Sequence, residues 1–424
     1  MTESKAKRID PIHKVPLQRP KTIIVNGKPR EIDAVYKFVI DAGRGKDGKR
    51  RQEKHTCDTY REARAERARI IAERAAGTYV QRDRNLTVRA YFDEWLESKS
   101  TKKPTTVDGY RTALVAFLDE YGHLPLQDLD VPHLVSLRAR MLSGELRRTG
   151  KKDTPLSART VNYALTTITM ALGAAMKRGL IARNVGEQVD RVDKDPDAGA
   201  DRRTWQTPQV RTFLRAAAKD RLHAAFLLSA LGLRRGEVTG LRWDDVDLTG
   251  RVAEARKLPK DTPSIAIVNN RVAARGTIHE YSPKGKGRRR VPYLPIPAVL
   301  VDALTALQLA QREEADKAGD AYGACPLCGL AHVVVNELGQ PYRPEWFGDQ
   351  FARLVRSAGL PPAPLHAARH AAASVLADLG VPDIAAAAWL GHTKVDVTRD
   401  YQHVMTQRLA EASEALGGVF AEDV

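Results

Sequence analysis

The chain has 424 residues, 43% of them apolar and 6% aromatic, enough to bury more than one core across roughly two to four domains and to exclude wholesale disorder. Its 68 lysines and arginines against 52 aspartates and glutamates leave +16, which points to a polyanionic partner, nucleic acid before anionic membrane. The longest uncharged stretch, residues 160–176, is too short and polar for a membrane span, residues 1–20 lack an apolar signal core, and three cysteines exclude a disulfide-built scaffold; a soluble, reducing-compartment protein is expected.

The charge is unevenly spread. Residues 1–84 hold 22 Lys or Arg against 12 Asp or Glu. Within them, Ile32–Ile40 is rich in β-branched and aromatic residues, as a strand should be. Gly43, Gly45 and Gly48 suit a hairpin turn, and Arg50–Cys57 can return as the partner strand. Thr59 and Glu62 fit a capping box that opens an Ala-, Arg- and Glu-rich helix closed by Gly77. A small sheet plus one helix, with Arg44, Lys46, Lys49, Arg50 and Arg51 about the turn, reads as a basic DNA-binding module after a disordered start. A wholly disordered basic arm is the alternative.

Residues 85–186 read as a helical bundle. Val88, Tyr91, Phe92 and Trp95 fall at i, i+3, i+4 and i+7, one face of a helix over Thr87–Ser98, and this stripe is read as core. Further helices are predicted from Pro104 to Glu120, from Val131 to Leu142, and from Ser157 to Arg178 before Gly179. The charged stretch 187–203 looks like a linker. From residue 204 to 424 the pattern becomes mixed. Thr207-Pro208 marks a helix start with Thr207 as cap, and Ser264–Val272 and Thr277–Leu294 look like strands around a glycine-rich basic turn.

Four short segments of this last region suit the binding and cleavage of a phosphodiester. Leu231–Glu237 is read as opening a helix that continues to Trp243; Arg234 offers a permanently charged fork for phosphate oxygens, and Glu237 can orient it. Residues 283–290, with Lys284, Lys286, Arg288, Arg289 and Arg290, form a basic hairpin tip. His366, Arg369 and His370 share a helical face after Pro361, Pro362 and Pro364. Gly391 ends an apolar helix beside His392, and Tyr401 follows nine residues later. Alone, each segment is more often an ordinary solvated or structural feature.

In order, Arg234, Lys284, His366-x-x-Arg369, Gly391-His392 and Tyr401 resemble the active-site set of the tyrosine recombinases, or phage-type integrases. Ala367 and Ala368, and an insertion-like stretch from Asp316 to His332, are the departures. The resemblance implies a multidomain, mainly α fold with small β elements: an arm-site-binding module over 1–84, a helical core-binding domain over 85–186, and a mixed α+β catalytic domain over 204–424. It also implies Tyr401 as the nucleophile that forms a 3′-phosphotyrosine, Arg234, Arg369 and His392 as stabilisers of phosphate charge, Lys284 as general acid and His366 as acceptor of the tyrosine proton. Arg235, His370 and residues 288–290 are assigned to phosphate contact or packing. The implied partners are double-stranded DNA at core and arm sites, three further copies of the chain in a tetramer, and accessory host-bending and directionality proteins. No cofactor and no membrane are implied, and the setting is a bacterial cytoplasm and its nucleoid. A type IB topoisomerase, or a non-catalytic DNA-binding regulator on the same fold, stands as the alternative.

Cys325-x-x-Cys328 with His332 has the spacing of half a zinc site. A closed site needs four ligands and Cys57 lies in another domain, so unligated thiols on a surface insertion are the favoured reading, with no metal expected. After Tyr401, a helix is predicted to end at Leu416 before Gly417-Gly418. Val419 and Phe420 then follow as a detached anchor, read as docking on a neighbouring protomer rather than on its own domain.

Overall fold

The computed structural model describes residues 11–25, 28–44, 50–76, 79–80, 83–146, 154–193, 205–282, 293–391 and 402–421. Two compact units are present, one of residues 1–99 and 110–193, the other of residues 100–109 and 194–424.

The first unit begins with an antiparallel sheet of β1 (Ile12–Val25), β2 (Lys28–Arg44) and β3 (Arg50–Cys57), with β2 in the middle. Val15 faces Val35 and Tyr36 faces Cys57. The sequence pattern suggests no element ahead of Ile32, and the structure adds β1. Its prolines and basic residues hide the strand pattern, yet an edge strand tolerates them, and the register slips between Pro16 and Lys21. Helix α1 (Tyr60–Ala75) opens on the expected capping box, with the Glu62 N–H donating to Thr59 Oγ1 and the Thr59 N–H to Glu62 Oε2, both at 3.2 Å. It sets Ala63 and Ile70 against Phe38 and Ile40, and the Phe38 ring stacks on His55 at 4.9 Å. Arg44 ends β2 and Arg50 and Arg51 begin β3, while Lys46 and Lys49 lie outside the described residues.

Four helices follow: α2 (Val88–Glu97), α3 (Pro104–Tyr121), α4 (Val131–Ser143) and α5 (Ala158–Lys177). The stripe of Val88, Tyr91, Phe92 and Trp95 is buried, as its spacing requires. Tyr91 Oη donates to the Ala171 carbonyl at 2.7 Å, so the one polar atom of that buried ring is satisfied, and Phe92 meets Phe117 at 5.0 Å. Residues 187–193, expected to begin a linker, fold back on α5, where Asn162 bonds the Val192 carbonyl and N–H at 2.8 and 2.9 Å. Residues 194–203 lie outside the described residues.

The second unit holds α6 (Thr207–Ala217), α7 (His223–Ala230), the single turn α8 (Arg235–Val238), β4 (Val246–Asp247), β5 (Ser264–Ala266), β6 (Asn270–Ala274), β7 (Thr277–Tyr281), β8 (Tyr293–Pro295), α9 (Ala298–Ala318), α10 (Pro344–Ser357), α11 (Leu365–Asp378), α12 (Asp383–Leu390) and α13 (Gln402–Ala421). Helix α7 is buried from Ala224 through Ala230 and forms the centre of the core. Its Phe226 packs against Phe213 and Phe347, and Phe213 and Phe351 are centred 4.8 Å apart. The cap of α6 is Gln206, paired reciprocally with Gln209, and Thr207 is the first helical residue instead. The stretch read as one strand over 264–272 divides: β5 joins β4 and β8, whereas β6 turns away into a hairpin with β7. Among the described residues no helix is long and apolar enough to cross a membrane.

The tail departs from expectation. Helix α13 runs unbroken through Gly417 and Gly418 to Ala421, and Leu409, Ala412, Leu416 and Phe420 are buried in the chain's own core. Gly417 is a point of close approach and not a stop: a Cβ there would lie 2.7 Å from Pro297 Cβ. Arg211 Nε donates to the Val419 carbonyl at 3.2 Å and fixes the last turn. The detached anchor docked on a neighbour is therefore corrected to packing in cis. Phe420→Ala should lower the unfolding free energy by about 3–5 kcal/mol in denaturant titrations, at any protein concentration. An unchanged midpoint would mean that the helix contributes nothing to its own domain.

Candidate functional site

The Arg234 segment does not form the long helix expected from Leu231 to Trp243. Helix α8 is one turn, and Trp243–Asp245 is a separate 3₁₀ turn. Arg234 is the N-cap of α8, and Glu237 holds it twice. Glu237 Oε2 accepts the Arg234 main-chain N–H, and Oε1 accepts Nη1, both at 3.0 Å. Glu237 is 1% exposed while the Arg234 side chain is 31% exposed, so a buried carboxylate aims a half-exposed guanidinium outward. This supports the orienting role given to Glu237, since a carboxylate is buried at tolerable cost only when paired.

Arg369 lies in the second turn of α11 and is buried. Its Nη1 donates to the Gly232 carbonyl at 2.6 Å, and its Nη2 donates to the Leu390 carbonyl. Arg234 Nη2 reaches the neighbouring Gly391 carbonyl at 3.5 Å, and Trp389 Nε1 donates to the Leu231 carbonyl at 2.8 Å. Gly232 has φ +92°, and a Cβ on it would lie 2.7 Å from Leu390 Cδ2, so only glycine permits this approach. Three segments distant in sequence, 231–237, 369 and 389–391, thus meet at the last residue before His392. His366 and His370 remain exposed on α11, their rings edge-to-face at 4.9 Å. Arg369 is buried, whereas His366 is exposed. Arg235 is exposed, 3.8 Å from Glu345.

Lys284, Lys286, Arg288, Arg289, Arg290, His392 and Tyr401 lie outside the described residues. The chain reaches them from described elements: β7 ends at Tyr281, α12 is capped by Gly391 in a left-handed conformation, and α13 starts at Gln402.

A second cluster stands in the same unit. Cys325, Cys328 and His332 converge, as their spacing allows; Cys325 and His332 are buried and Cys328 is half-buried, which corrects the surface placement of Cys325. The residue that sequence reasoning missed is Glu280 on β7. Its Oε1 lies 3.0 Å from His332 Nε2 and accepts from Arg271 Nη1 at 2.7 Å; its Oε2 accepts from Arg242 at 2.7 Å and Asn269 at 3.0 Å. Burial opposes its charge, but His332 and Arg242 hold the Glu280 carboxyl well below the usual carboxylate range. No motif marks Glu280, which only the hairpin register brings to the cysteines.

Comparisons with known proteins give the class, a DNA strand-transferring enzyme of the integrase type. Residues 206–408 match the Phage integrase family and residues 87–189 match the Phage integrase SAM-like domain. The chain belongs to the tyrosine recombinase family, enzymes that cleave and rejoin DNA. It is 25% identical over 396 residues to a tyrosine recombinase XerC-like protein of Caldanaerobacter subterraneus subsp. tengcongensis, covering 91% of this chain and 96% of that one. It is 23% identical to an integrase of Saccharopolyspora erythraea, covering 92% and 95%. The Tn1549 transposon integrase, solved in complex with transposon right end DNA, shares the fold with a TM-score of 0.56 at 20% identity, over 77% of this chain and 100% of that one.

Arg369→Lys tests the convergence of the three segments. An ammonium cannot hold the Gly232 and Leu390 carbonyls with the reach of a guanidinium fork, and each buried carbonyl left unpaired costs about 1–3 kcal/mol. Thermal unfolding should show a loss of that size, and an unchanged Tm would mean that the two bonds carry no net stability.

Proposed function

We infer that this chain is the site-specific integrase of a mobile element, a temperate phage or an integrative element, acting on double-stranded DNA. The observation that supports the reading is that Arg234 and Arg369, from separate elements, both reach the Leu390–Gly391 carbonyls. Two guanidinium groups gathered there suit a clamp on a phosphate beside residue 392. Tyr401 is the proposed nucleophile: its oxygen bonds to phosphorus as the bond from phosphorus to the 5′ oxygen breaks, leaving a 3′-phosphotyrosine. His366 takes the tyrosine proton and Lys284 gives one to the leaving 5′ oxygen. Arg234, Arg369 and His392 stabilise charge on the non-bridging oxygens, where losing one donor typically costs about 2.7–4 kcal/mol of transition-state stabilisation. Rejoining reverses these steps with a different 5′-hydroxyl, so strand exchange needs no outside energy source.

Residues 1–84 are proposed to bind arm sites and 85–186 core sites, with four protomers on the recombining DNA and host-bending and directionality proteins as accessories in a bacterial cytoplasm. The excess of basic residues in 1–84 supports the first assignment.

Incubated with a nicked duplex carrying its attachment site, the wild-type chain should yield a covalent protein–DNA adduct, and Tyr401→Phe should yield none while still shifting the DNA in a gel. An adduct of undiminished yield from the Phe variant would remove Tyr401 as nucleophile. Deletion of residues 1–84 should abolish arm-site binding and leave core-site binding within a few-fold of wild type. Arm-site affinity that survives the deletion would reassign that module.

A further inference from the structure

The cluster about Glu280 draws on β7, on the turn that follows α9 and on segment 241–243, where Arg242 bridges His332 and the Trp243 N–H donates to the Ala331 carbonyl. The Sγ atoms of Cys325 and Cys328, a ring nitrogen of His332 and a carboxylate oxygen of Glu280 all lie within 4.8 Å of one another. Around a tetrahedral zinc with bonds of about 2.0–2.3 Å, ligand atoms stand about 3.3–3.8 Å apart. The 3.0 Å from His332 Nε2 and the 4.0 Å from Cys325 Sγ to Glu280 Oε1 straddle that spacing.

His332 Nδ1 faces the Leu330 carbonyl at 3.2 Å, which orients the ring with Nε2 toward the Glu280 carboxylate. Orientation of a ligating histidine through its other nitrogen is the usual arrangement at metal sites. Arg271 Nη1 stands 3.3 Å from Cys325 Sγ, a cation beside the sulfur. Two thiolates and a carboxylate carry one more negative charge than a divalent ion neutralises, and Arg242 and Arg271 are in place to balance it.

We propose that Cys325, Cys328, His332 and Glu280 hold one structural zinc ion that closes the turn after α9 onto β7. Thiolate donors select zinc over calcium or magnesium, and four protein ligands leave no open position for substrate. The site lies outside the arginine cluster, and its test does not depend on strand exchange.

The full-length chain, produced in zinc-supplemented medium and purified without chelator, should carry one zinc per chain by elemental mass spectrometry. Replacement by cobalt(II) should give a thiolate-to-cobalt charge-transfer band with the intense visible absorption of a tetrahedral ion. Cys57→Ser should retain both signals, and Cys325→Ser and Cys328→Ser should lose the charge-transfer intensity. Glu280→Gln should bind zinc at least about tenfold more weakly in chelator competition. A zinc-free wild type that takes up no cobalt, a Cys325–Cys328 disulfide in freshly purified protein, or undiminished affinity in Glu280→Gln would each overturn the assignment. Should the cysteine variants fail to fold, a mercurial reagent should release the wild-type zinc in step with thiol modification, and zinc that stays bound after modification would overturn it equally.

Discussion

The arrangement of the catalytic unit depends on one buried guanidinium. Arg369 donates to the carbonyls of Gly232 and Leu390, which lie at the C-terminal ends of α7 and α12. Carbonyls at helix ends have no partner within their own helix and must find one elsewhere. A single cation therefore caps two helices, at the ends where the helix dipole favours positive charge. Trp389 Nε1 does the same for Leu231, and Arg234 reaches Gly391. Main-chain groups that would otherwise be buried unpaired thus tie the Arg234 segment to the turn that leads into His392.

This capping also explains how a charged cluster survives in an apolar setting. Burying a lone charge is prohibitive, whereas a guanidinium between two carbonyls and a carboxylate between the main chain and side chain of one arginine are each satisfied. Glu237 and Arg234 form the second case, with one partner buried and the other half-exposed. Charge is held rigidly at the surface by charge hidden beneath it, which is the preorganisation that transition-state stabilisation of a phosphoryl transfer needs.

The family was legible because the order of its polar residues along the chain is distinctive, and the helices were legible because caps and stripes are local signals. Thr59 with Glu62, Thr87, Ser157, and the Val88–Trp95 stripe all appear where local chemistry puts them. What the sequence concealed was non-local. Strand β1 looked like a basic tail because its prolines matter only in a central strand. Gly417-Gly418 looked like a stop because the approach of Gly417 to Pro297 involves a residue about 120 positions earlier. The inward bonds of Arg369 left no trace because the carbonyls it serves belong to other segments. Glu280 carried no signal, since its partners come from β6, from segment 241–243 and from the turn beyond α9.

Glu280 also gives the hairpin a mechanical role. Asn269, just ahead of β6, donates through one amide group to both the Gly240 carbonyl and Glu280 Oε2, each at 3.0 Å. Gly240 follows α8, the turn capped by Arg234, and Glu280 lies four residues before Lys284. The arginine turn and the strand leading to the proposed general acid therefore share one buried polar frame, braced further by Arg242, Arg271 and His332. General acid catalysis requires the proton donor to meet the leaving oxygen within hydrogen-bond reach while the arginines hold the same phosphate. Two segments some fifty residues apart satisfy that requirement more readily when they are fixed to a common frame than when each is held by its own loop. The Asn269–Glu280 contact is thus as much a part of the proposed reaction geometry as the residues that would touch DNA.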